Sequence, residues 1–173
     1  VAGNNPDLES GRRLEAIFRS RADWPGAVRA LQLQAKADVD EGTRVSALLS
    51  AAKLEVESRH NREAAASFYN EVLALKPDHE QALRFMASHL FEAGRFDEAL
   101  PICERLEPVV ERGQDLDDFD TRMELASFYF YMAEMLRLQM EEESAIPRYE
   151  RALVLNPTHL ATLQAVGPLY VAS

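Results

Sequence analysis

The chain repeats its own pattern at long range, and this restricts its fold more than any other feature. Six residues near the middle recur 80 residues later, with the same types in the same order. The first set is Glu63, Ala65, Tyr69, Leu73, Leu75 and Pro77, and the second is Glu143, Ala145, Tyr149, Leu153, Leu155 and Pro157. Self-similarity at such a period is the signature of stacked repeat units. The sequence therefore predicts a repeat protein.

The apolar residues within each unit follow helical spacing. Steps of three and four separate them, which is the period of amphipathic helices. The chain has only 7 Gly and 8 Pro, too few for a strand-rich fold with many tight turns. Turn residues divide each unit into two helices, at Arg59-His60-Asn61, Gly94-Arg95 and Met140-Glu141. Each unit is therefore predicted to be a pair of antiparallel helices.

These residues resemble the tetratricopeptide repeat, a helix-turn-helix of roughly 34 residues with the pattern W-x2-L-G-x2-Y, A-x3-F and a closing proline. Three copies are Leu49-Ala52-Lys53-Val56 with Ala65-Tyr69 and Pro77, Leu83-Met86-Ala87-Leu90 with Ala99-Cys103, and Tyr129-Met132-Ala133-Leu136 with Ala145-Tyr149 and Pro157. A degenerate copy is formed by Leu14, Phe18, Trp24, Ala27 and Leu31, and the first helix of a further copy by Leu163-Val166-Gly167-Tyr170.

The resemblance implies an all-α fold, in which antiparallel helix-turn-helix repeats stack in a right-handed superhelical solenoid. Residues 1–173 are expected to form a single domain. Its parts are a degenerate repeat at about 8–43, repeats at 44–79, 80–113 and 121–157, an insertion at 107–120, and the first helix of a further repeat at 158–173. The chain starts at Val1 without a methionine and ends within an apparent helix, so we expect a fragment of a longer bacterial array.

Some residues depart from the family pattern. Lys53 occupies a position where the family usually has a small residue, so its stem is expected to extend outward. Pro168 lies inside the last predicted helix, where a kink or an early end is expected. By contrast, Ala65, Ala99 and Ala145 follow the pattern and should allow the two helices of each pair to approach closely.

Charge and composition argue against several classes of partner. The formal net charge of −10 disfavours binding to nucleic acid phosphates and to anionic lipids, so no nucleic acid partner is expected. No apolar run approaches the roughly 20 residues that span a membrane, so direct membrane insertion is not expected. Cys103 is the only cysteine, which suits a reducing compartment, and we expect a cytoplasmic location.

The sequence contains no recognisable catalytic, metal-binding or cofactor-binding motif. His-Glu-x-x-His and Cys-x-x-Cys spacings and a glycine-rich phosphate loop are absent from the sequence, so no enzyme, metal or cofactor is expected. The acidic cluster Asp115, Asp117, Asp118 and Asp120 superficially resembles a calcium loop, but it lacks the turn glycine and the final glutamate. Acidic residues there also suit the start of a helix. Cys103 falls on a buried helical stripe and is expected to be structural.

The resemblance also implies a partner site. In the family, the first helix of each pair lines a concave groove that receives the ligand. The corresponding candidate residues are Arg84, Phe85, Ser88, Phe91, Phe130, Tyr131, Glu134 and Arg137. Aromatic residues and arginine on one face are typical binding anchors. The alternative is that the aromatic residues pack against neighbouring repeats, and the sequence leaves both interpretations open. The first copy contributes mainly small residues, namely Ala47, Ser50, Ala51, Leu54 and Glu57.

The groove lacks the residues of one subfamily. Chaperone-binding repeats hold a terminal carboxylate with lysine and asparagine, whereas Ser50, Leu54 and Phe85 stand at the matching positions here. A chaperone C-terminal tail is therefore not the expected ligand. We expect a non-catalytic scaffold that binds a peptide or helix of another protein, in the assembly or regulation of bacterial envelope or motility machinery. The alternative is a regulatory or substrate-docking segment of a multidomain enzyme.

Overall fold

The computed structural model describes residues 6–37, 39–112 and 116–172, and all of their regular structure is helical. The helices are α1 (Pro6–Ser20), α2 (Trp24–Lys36), α3 (Glu41–Glu57), α4 (Arg62–Leu75), α5 (Glu80–Glu92), α6 (Phe96–Glu111), α7 (Phe119–Leu138), α8 (Glu142–Leu155) and α9 (Leu160–Ala172). They pair consecutively, as α1 with α2, α3 with α4, and α7 with α8. The predicted all-α fold of helix-turn-helix repeats is confirmed.

The helices fall into two compact units, which are described separately. The first unit extends to His89 and the second begins at Leu90. In the first unit, α2 also packs against α3, which joins the first two helix pairs. In the second unit, α7 contacts α6, and α8 contacts α9. Each unit therefore has its own helix pairs on which candidate side chains are placed.

Four helices begin at a side-chain cap. A side-chain oxygen of the residue before the helix accepts a hydrogen bond from the backbone N–H three residues later, which satisfies one of the unpaired donors at the helix start. The capping residues are Asp23, Asp40, Asn61 and Asp118, with distances of 2.9, 2.9, 3.0 and 2.8 Å. Hydrogen bonds from Thr43 hold the pKa of Asp40 below its usual value, and those from Thr121 do so for Asp118. Asp118 of the acidic cluster thus has a capping role.

The turn inside each helix pair contains a residue in the left-handed conformation, always at the same position of the turn. Ala22, His60, Gly94 and Met140 have φ angles of 54°, 52°, 70° and 63°. In three of these turns the next N–H donates to the carbonyl five residues back, which closes the end of the helix. These bonds run from Asp23 to Phe18, from Arg95 to Leu90 and from Glu141 to Leu136, each at 2.9 Å. Only Gly94 adopts this conformation without a steric penalty.

A completely buried alanine lies five residues after each left-handed residue. Ala27, Ala65, Ala99 and Ala145 all have 0% exposure. In the second unit, Ala145 is part of a core cluster with Tyr149 of the same helix. The other members of this cluster are Ala133, Leu136, Val166 and Leu169. The alanines are thus buried at helix contacts, as the sequence pattern predicts.

Helix α3 differs from the predicted register by one residue. Leu49 and Val56 are half-buried, whereas their neighbours Leu48 and Glu55 are buried. The physical reason lies in the turn after α3, where Asn61 N–H donates to the carbonyl of Glu55 at 2.8 Å, six residues back instead of five. The extra residue in the turn shifts the buried face of the helix. Lys53 is exposed, as expected, and its Nζ lies 3.8 Å from a carboxylate oxygen of Glu57.

Two helices continue through a proline. Helix α6 extends through Pro108 to Glu111 and buries Val110, so the first residues of the predicted insertion at 107–120 are helical. Residues 113–115 of this segment lie outside the described residues. Helix α9 likewise continues beyond Pro168 to Ala172, so it has no early end. Burial of Val110 in one helix and of Leu169 in the other stabilises the turn that contains the proline.

Three expected core residues lie at the surface. Leu14 on α1 and Leu163 and Tyr170 on α9 are 39%, 46% and 51% exposed. Leu163 and Tyr170 correspond in the repeat to Tyr129 and Leu136, which α8 helps to bury. Within the described residues no helix follows α9 to cover its corresponding face. The repeat pattern alone does not predict burial unless the partner helix is also present.

Overpacking a helix contact tests the role of the buried alanines. Ala145→Leu is expected to destabilise the protein by about 1–3 kcal/mol, because no space remains beside this side chain. Ala161→Leu makes the same change at an exposed position of α9 and should alter stability by less than about 0.5 kcal/mol. Urea unfolding followed by circular dichroism measures both effects. Equal effects at the two positions would contradict the proposed close packing.

Glycine-to-alanine changes at two positions should differ in their effect on stability. At Gly94, with φ of 70°, alanine is expected to destabilise by about 1 kcal/mol or more. At Gly167, inside α9, the backbone is helical, so alanine should cost less than at Gly94, although Pro168 restricts the residue before it. Apart from chain neighbours and helix backbone, a Cβ atom meets nothing within 4 Å at either position. An equal or larger loss at Gly167 in thermal unfolding would disprove this interpretation.

Candidate functional site

Three of the predicted site residues lie on α5 in the first unit. The half-buried ring of Phe85 stacks on Tyr69 of α4, with centroids 4.4 Å apart, and Arg62 lies 5.1 Å from the Phe85 centroid. Arg84 is exposed and its Nε donates to Glu80 at 2.8 Å. Ser88 is exposed and its hydroxyl accepts from Arg62 at 3.3 Å. Phe85 therefore contributes to the packing of α4 on α5, while Arg84 and Ser88 lie at the surface.

The second unit contains an aromatic surface, which we name the α7 aromatic surface and define as Phe91, Phe130 and Tyr131. Phe91 meets Tyr131 edge to face, with centroids 5.1 Å apart, and Phe130 lies 5.6 Å from Tyr131. Tyr131 is 48% exposed, whereas Phe91 and Phe130 are half-buried. The exposed ring of Tyr131 is thus held in place by the rings of Phe91 and Phe130.

Phe130 also packs on the core of the second unit. Its ring centroid lies 5.2 Å from that of His159 and 6.2 Å from that of Tyr149. It also contacts the buried cluster formed by α7, α8 and α9. Of the two interpretations that the sequence leaves open, packing therefore applies to Phe130, because the turn before α9 and α8 both contact it. Its role toward a partner stays a prediction.

Glu134 and Arg137, the two charged candidates on α7, form a hydrogen-bonded group with Tyr149. Arg137 donates from Nη2 and Nε to the two carboxylate oxygens of Glu134, at 2.8 and 3.3 Å, and the Tyr149 hydroxyl donates to the same carboxylate. Burial raises the pKa of Glu134, but the hydrogen bonds from Arg137 and Tyr149 outweigh it and lower that pKa overall. Burial and the Glu134 acceptor raise the pKa of Tyr149 above its usual value. These charges are therefore fixed in position beside the aromatic surface.

The small residues assigned to the groove from the first copy are mostly inaccessible. Ala47, Ala51 and Leu54 are buried, so their assignment as groove lining is wrong. The register shift of α3 explains this, since it turns these positions toward the core. Ser50 is half-buried and lines a polar cleft of about 470 Å³ beside α1 and α3.

Sequence reasoning missed most of this polar cleft. Arg12 and Glu15 of α1 line it together with Gln34 of α2, and Gln34 donates to Glu15 at 2.8 Å. Asp40 and Thr43 lie at the start of α3 on the same cleft. These residues were not considered because α1 belongs to the degenerate copy. Polar residues at helical spacing, Arg12 with Glu15 and Ser46 with Ser50, were the available signal.

The described residues contain no group of three or more His, Cys, Asp or Glu side chains that could hold a metal ion. Asp115 of the acidic cluster lies outside the described residues. Burial raises the pKa of the Cys103 thiol to about 12, so it is protonated at neutral pH and unsuited to act as a nucleophile. No described helix is long and apolar enough to cross a membrane.

Paired helices, left-handed turns at a constant position and buried alanines define an α-helical repeat protein. Residues 58–111 match the family model described as tetratricopeptide repeat. Together with the repeat fold, this match confirms the resemblance to the tetratricopeptide repeat family. A search of curated protein sequences gave no match.

Solved structures with this fold include three tetratricopeptide-like neighbours. A double mutant of MamA RS-1 is 18% identical, with 99% of this chain and 86% of that chain covered and a TM-score of 0.61. YrrB, described as a TPR protein with an unusual peptide-binding site, is 13% identical, with 91% and 73% covered and a TM-score of 0.52. PilF of Pseudomonas aeruginosa is 11% identical, with 91% and 65% covered and a TM-score of 0.56. At these identities the likeness is one of fold.

The Glu134 group should make stability depend on pH. Its folded-state pKa lies below the ordinary value of 4.5, so its stabilising contribution is present above pH 4.5 and is lost as the pH falls through the folded-state pKa. Glu134→Gln should therefore cost most stability near pH 7, and the difference from wild type should shrink as the pH falls below 4.5. Urea midpoints across this range measure it. Glu143→Gln, which removes an exposed carboxylate of α8, is the control, and an equal pH-dependent loss there would contradict the assignment.

Proposed function

We propose that this chain is a non-catalytic interaction scaffold that binds a peptide or helix of another protein on the α7 aromatic surface. Tyr131 carries the proposal, because its ring is 48% exposed and yet rests edge to face on Phe91. Tyrosine offers a large contact area, a polar tip and few rotatable bonds, so a partner can bind it at low entropic cost. A side chain that is both exposed and held in place is suited to be an anchor.

The charged neighbours support the same interpretation. Glu134 and Arg137 hold each other next to the aromatic surface, so their remaining hydrogen-bonding capacity is presented in a fixed orientation. An apolar anchor beside ordered polar groups is the usual arrangement of a protein interface. The net charge of −10 favours a neutral or basic partner segment over nucleic acid. The peptide-binding site named for YrrB supports a peptide as the class of ligand.

The cellular setting is a further part of the proposal. A cytoplasmic location fits the single buried thiol, and the proposed setting is the assembly or regulation of bacterial envelope or motility machinery. A docking segment of a multidomain enzyme is the alternative, in which the same surface holds a substrate protein. The departure of Ser50 from a carboxylate clamp supports a partner other than a chaperone tail.

Two tyrosines of the second unit provide a matched test. Peptides are selected against the wild-type protein from a random peptide display library, and their affinities are measured by calorimetry for Tyr131→Ala and Tyr170→Ala. Truncation of Tyr131 should cost about 2 kcal/mol or more of binding free energy, as at a hot spot. Tyr170 is similarly exposed, at 51%, but lies on α9, and its truncation should leave affinity unchanged.

Melting temperatures of both variants control for folding. Since each ring is about half exposed, both variants should melt close to the wild type. If Tyr131→Ala keeps full affinity for every selected peptide, or if Tyr170→Ala weakens binding equally, the α7 aromatic surface is not the binding site. In that case, competition among the selected peptides would indicate that they share one alternative site.

A further inference from the structure

Glu55 is a buried carboxylate at a position where other repeats have an apolar side chain. Its carbonyl accepts the hydrogen bond that closes the turn, as the carbonyls of Leu90 and Leu136 do in their repeats. Leu90 and Leu136 are both 4% exposed, and Glu55 is 2% exposed. A carboxylate at such a packing position is costly unless its oxygens are satisfied. Its presence therefore calls for a partner group.

The protein supplies a partner for only one oxygen of this carboxylate. Arg59, one turn later, donates to Oε1 of Glu55. Oε2 has no hydrogen-bond donor within reach among the described residues. The terminal torsion of a glutamate is soft, so a small rotation can turn either oxygen toward a new donor. Glu55 can thus accept one further hydrogen bond without losing its contact with Arg59.

Glu55 lines a cleft of about 420 Å³ between the second helices α2 and α4. Val28 and Phe68 provide apolar walls, and Arg29 and Glu71 lie on the two helices that border the cleft. This cleft differs from the polar cleft of α1 and α3, because the two share no lining residue. It lies entirely in the first unit, whereas the α7 aromatic surface belongs to the second.

The charges around the cleft select the chemistry of its occupant. Arg29 and Arg59 balance Glu55 and Glu71, so the lining has no formal net charge and neither a cation nor an anion is favoured. The apolar walls favour an apolar body, the guanidinium groups favour an aromatic face, and Oε2 requires a donor. An indole combines a flat aromatic body with a single N–H donor. The volume exceeds that of one such side chain.

We propose that the cleft between α2 and α4 binds a tryptophan side chain of a partner protein, which donates its indole N–H to Glu55. The ring lies between Val28 and Phe68 and contacts the guanidinium group of Arg59. The site is a second anchor point on the second helices, independent of the proposed binding at Tyr131. The carboxylate that weakens the repeat core is thereby assigned a binding role.

The test uses N-acetyltryptophanamide as the probe, with its 1-methylindole derivative as the matched ligand without a donor. Binding is followed by amide chemical shifts of the ¹⁵N-labelled chain. The wild type should bind N-acetyltryptophanamide saturably, with shifts at Val28 and Phe68. It should bind this probe about tenfold more tightly than the methylated derivative, because the free indole N–H donates one hydrogen bond to a charged acceptor. Saturable shifts confined to other residues, or equal affinities for the two ligands, would overturn the proposal.

Glu55→Leu installs the residue type of the equivalent positions 90 and 136, so it should fold and unfold at the same or a higher urea concentration. It should bind the two ligands equally weakly, whereas Glu57→Gln, an exposed change on the same helix, should bind as the wild type does. Retention of the preference for the free indole N–H in Glu55→Leu would overturn the proposal. If Glu55→Leu fails to fold, a second pair of variants decides. Ser67→Phe on the cleft rim must then block binding, and Asn70→Phe outside the lining must not. Any other result for this pair counts against the proposal.

Discussion

The contact between the two helices of each pair is the constraint on which this structure depends. At Ala27, Ala65 and Ala145, a side chain of zero exposure allows the second helix to lie directly on the first, and the equivalent Ala99 is also completely buried. Close approach at one point fixes where the preceding turn must end, and the chain meets this demand with a left-handed residue five positions earlier. Ala22, His60 and Met140 adopt that conformation although they have a Cβ atom. Packing of the following helix therefore outweighs the local steric penalty.

The same constraint explains which parts of the fold could be predicted from the sequence. Helix pairs, turns and buried alanines all follow from spacing, because the contact recurs at a constant distance from the turn. A single added residue in a turn leaves that spacing intact and still rotates the helix before it. For this reason Val56 matches the repeat pattern of the sequence, although Glu55 is the residue that is buried in the structure. Spacing identifies a repeat, but the register within it depends on backbone hydrogen bonds that a sequence does not display.

The exposure of candidate binding residues could be predicted only where it depends on their own helix and not on contacts with other helices. Tyr131 was assigned to a face away from its own helix pair, and the structure leaves it half exposed. The same reasoning was misleading for Phe130, because His159 and Tyr149 from later elements contact its ring. The cleft between α2 and α4 could not be predicted, and the polar cleft beside α1 had only the spacing of its polar residues as a signal. Each depends on helices from two repeats, and one of these repeats barely matches the family pattern.

Glu134 and Glu55 both direct a carboxylate away from solvent, but the hydrogen bonds of the two carboxylates differ. Glu134 has both oxygens engaged, by Arg137 and Tyr149, so it mainly orders its surroundings. Glu55 is more deeply buried but is engaged at one oxygen only, and it borders an open cleft. A leucine at its position is compatible with the repeat, since Leu90 and Leu136 occupy the equivalent places. The fold therefore does not require a carboxylate there. Function is best sought where a residue departs from what its repeat needs, and Glu55 is such a departure.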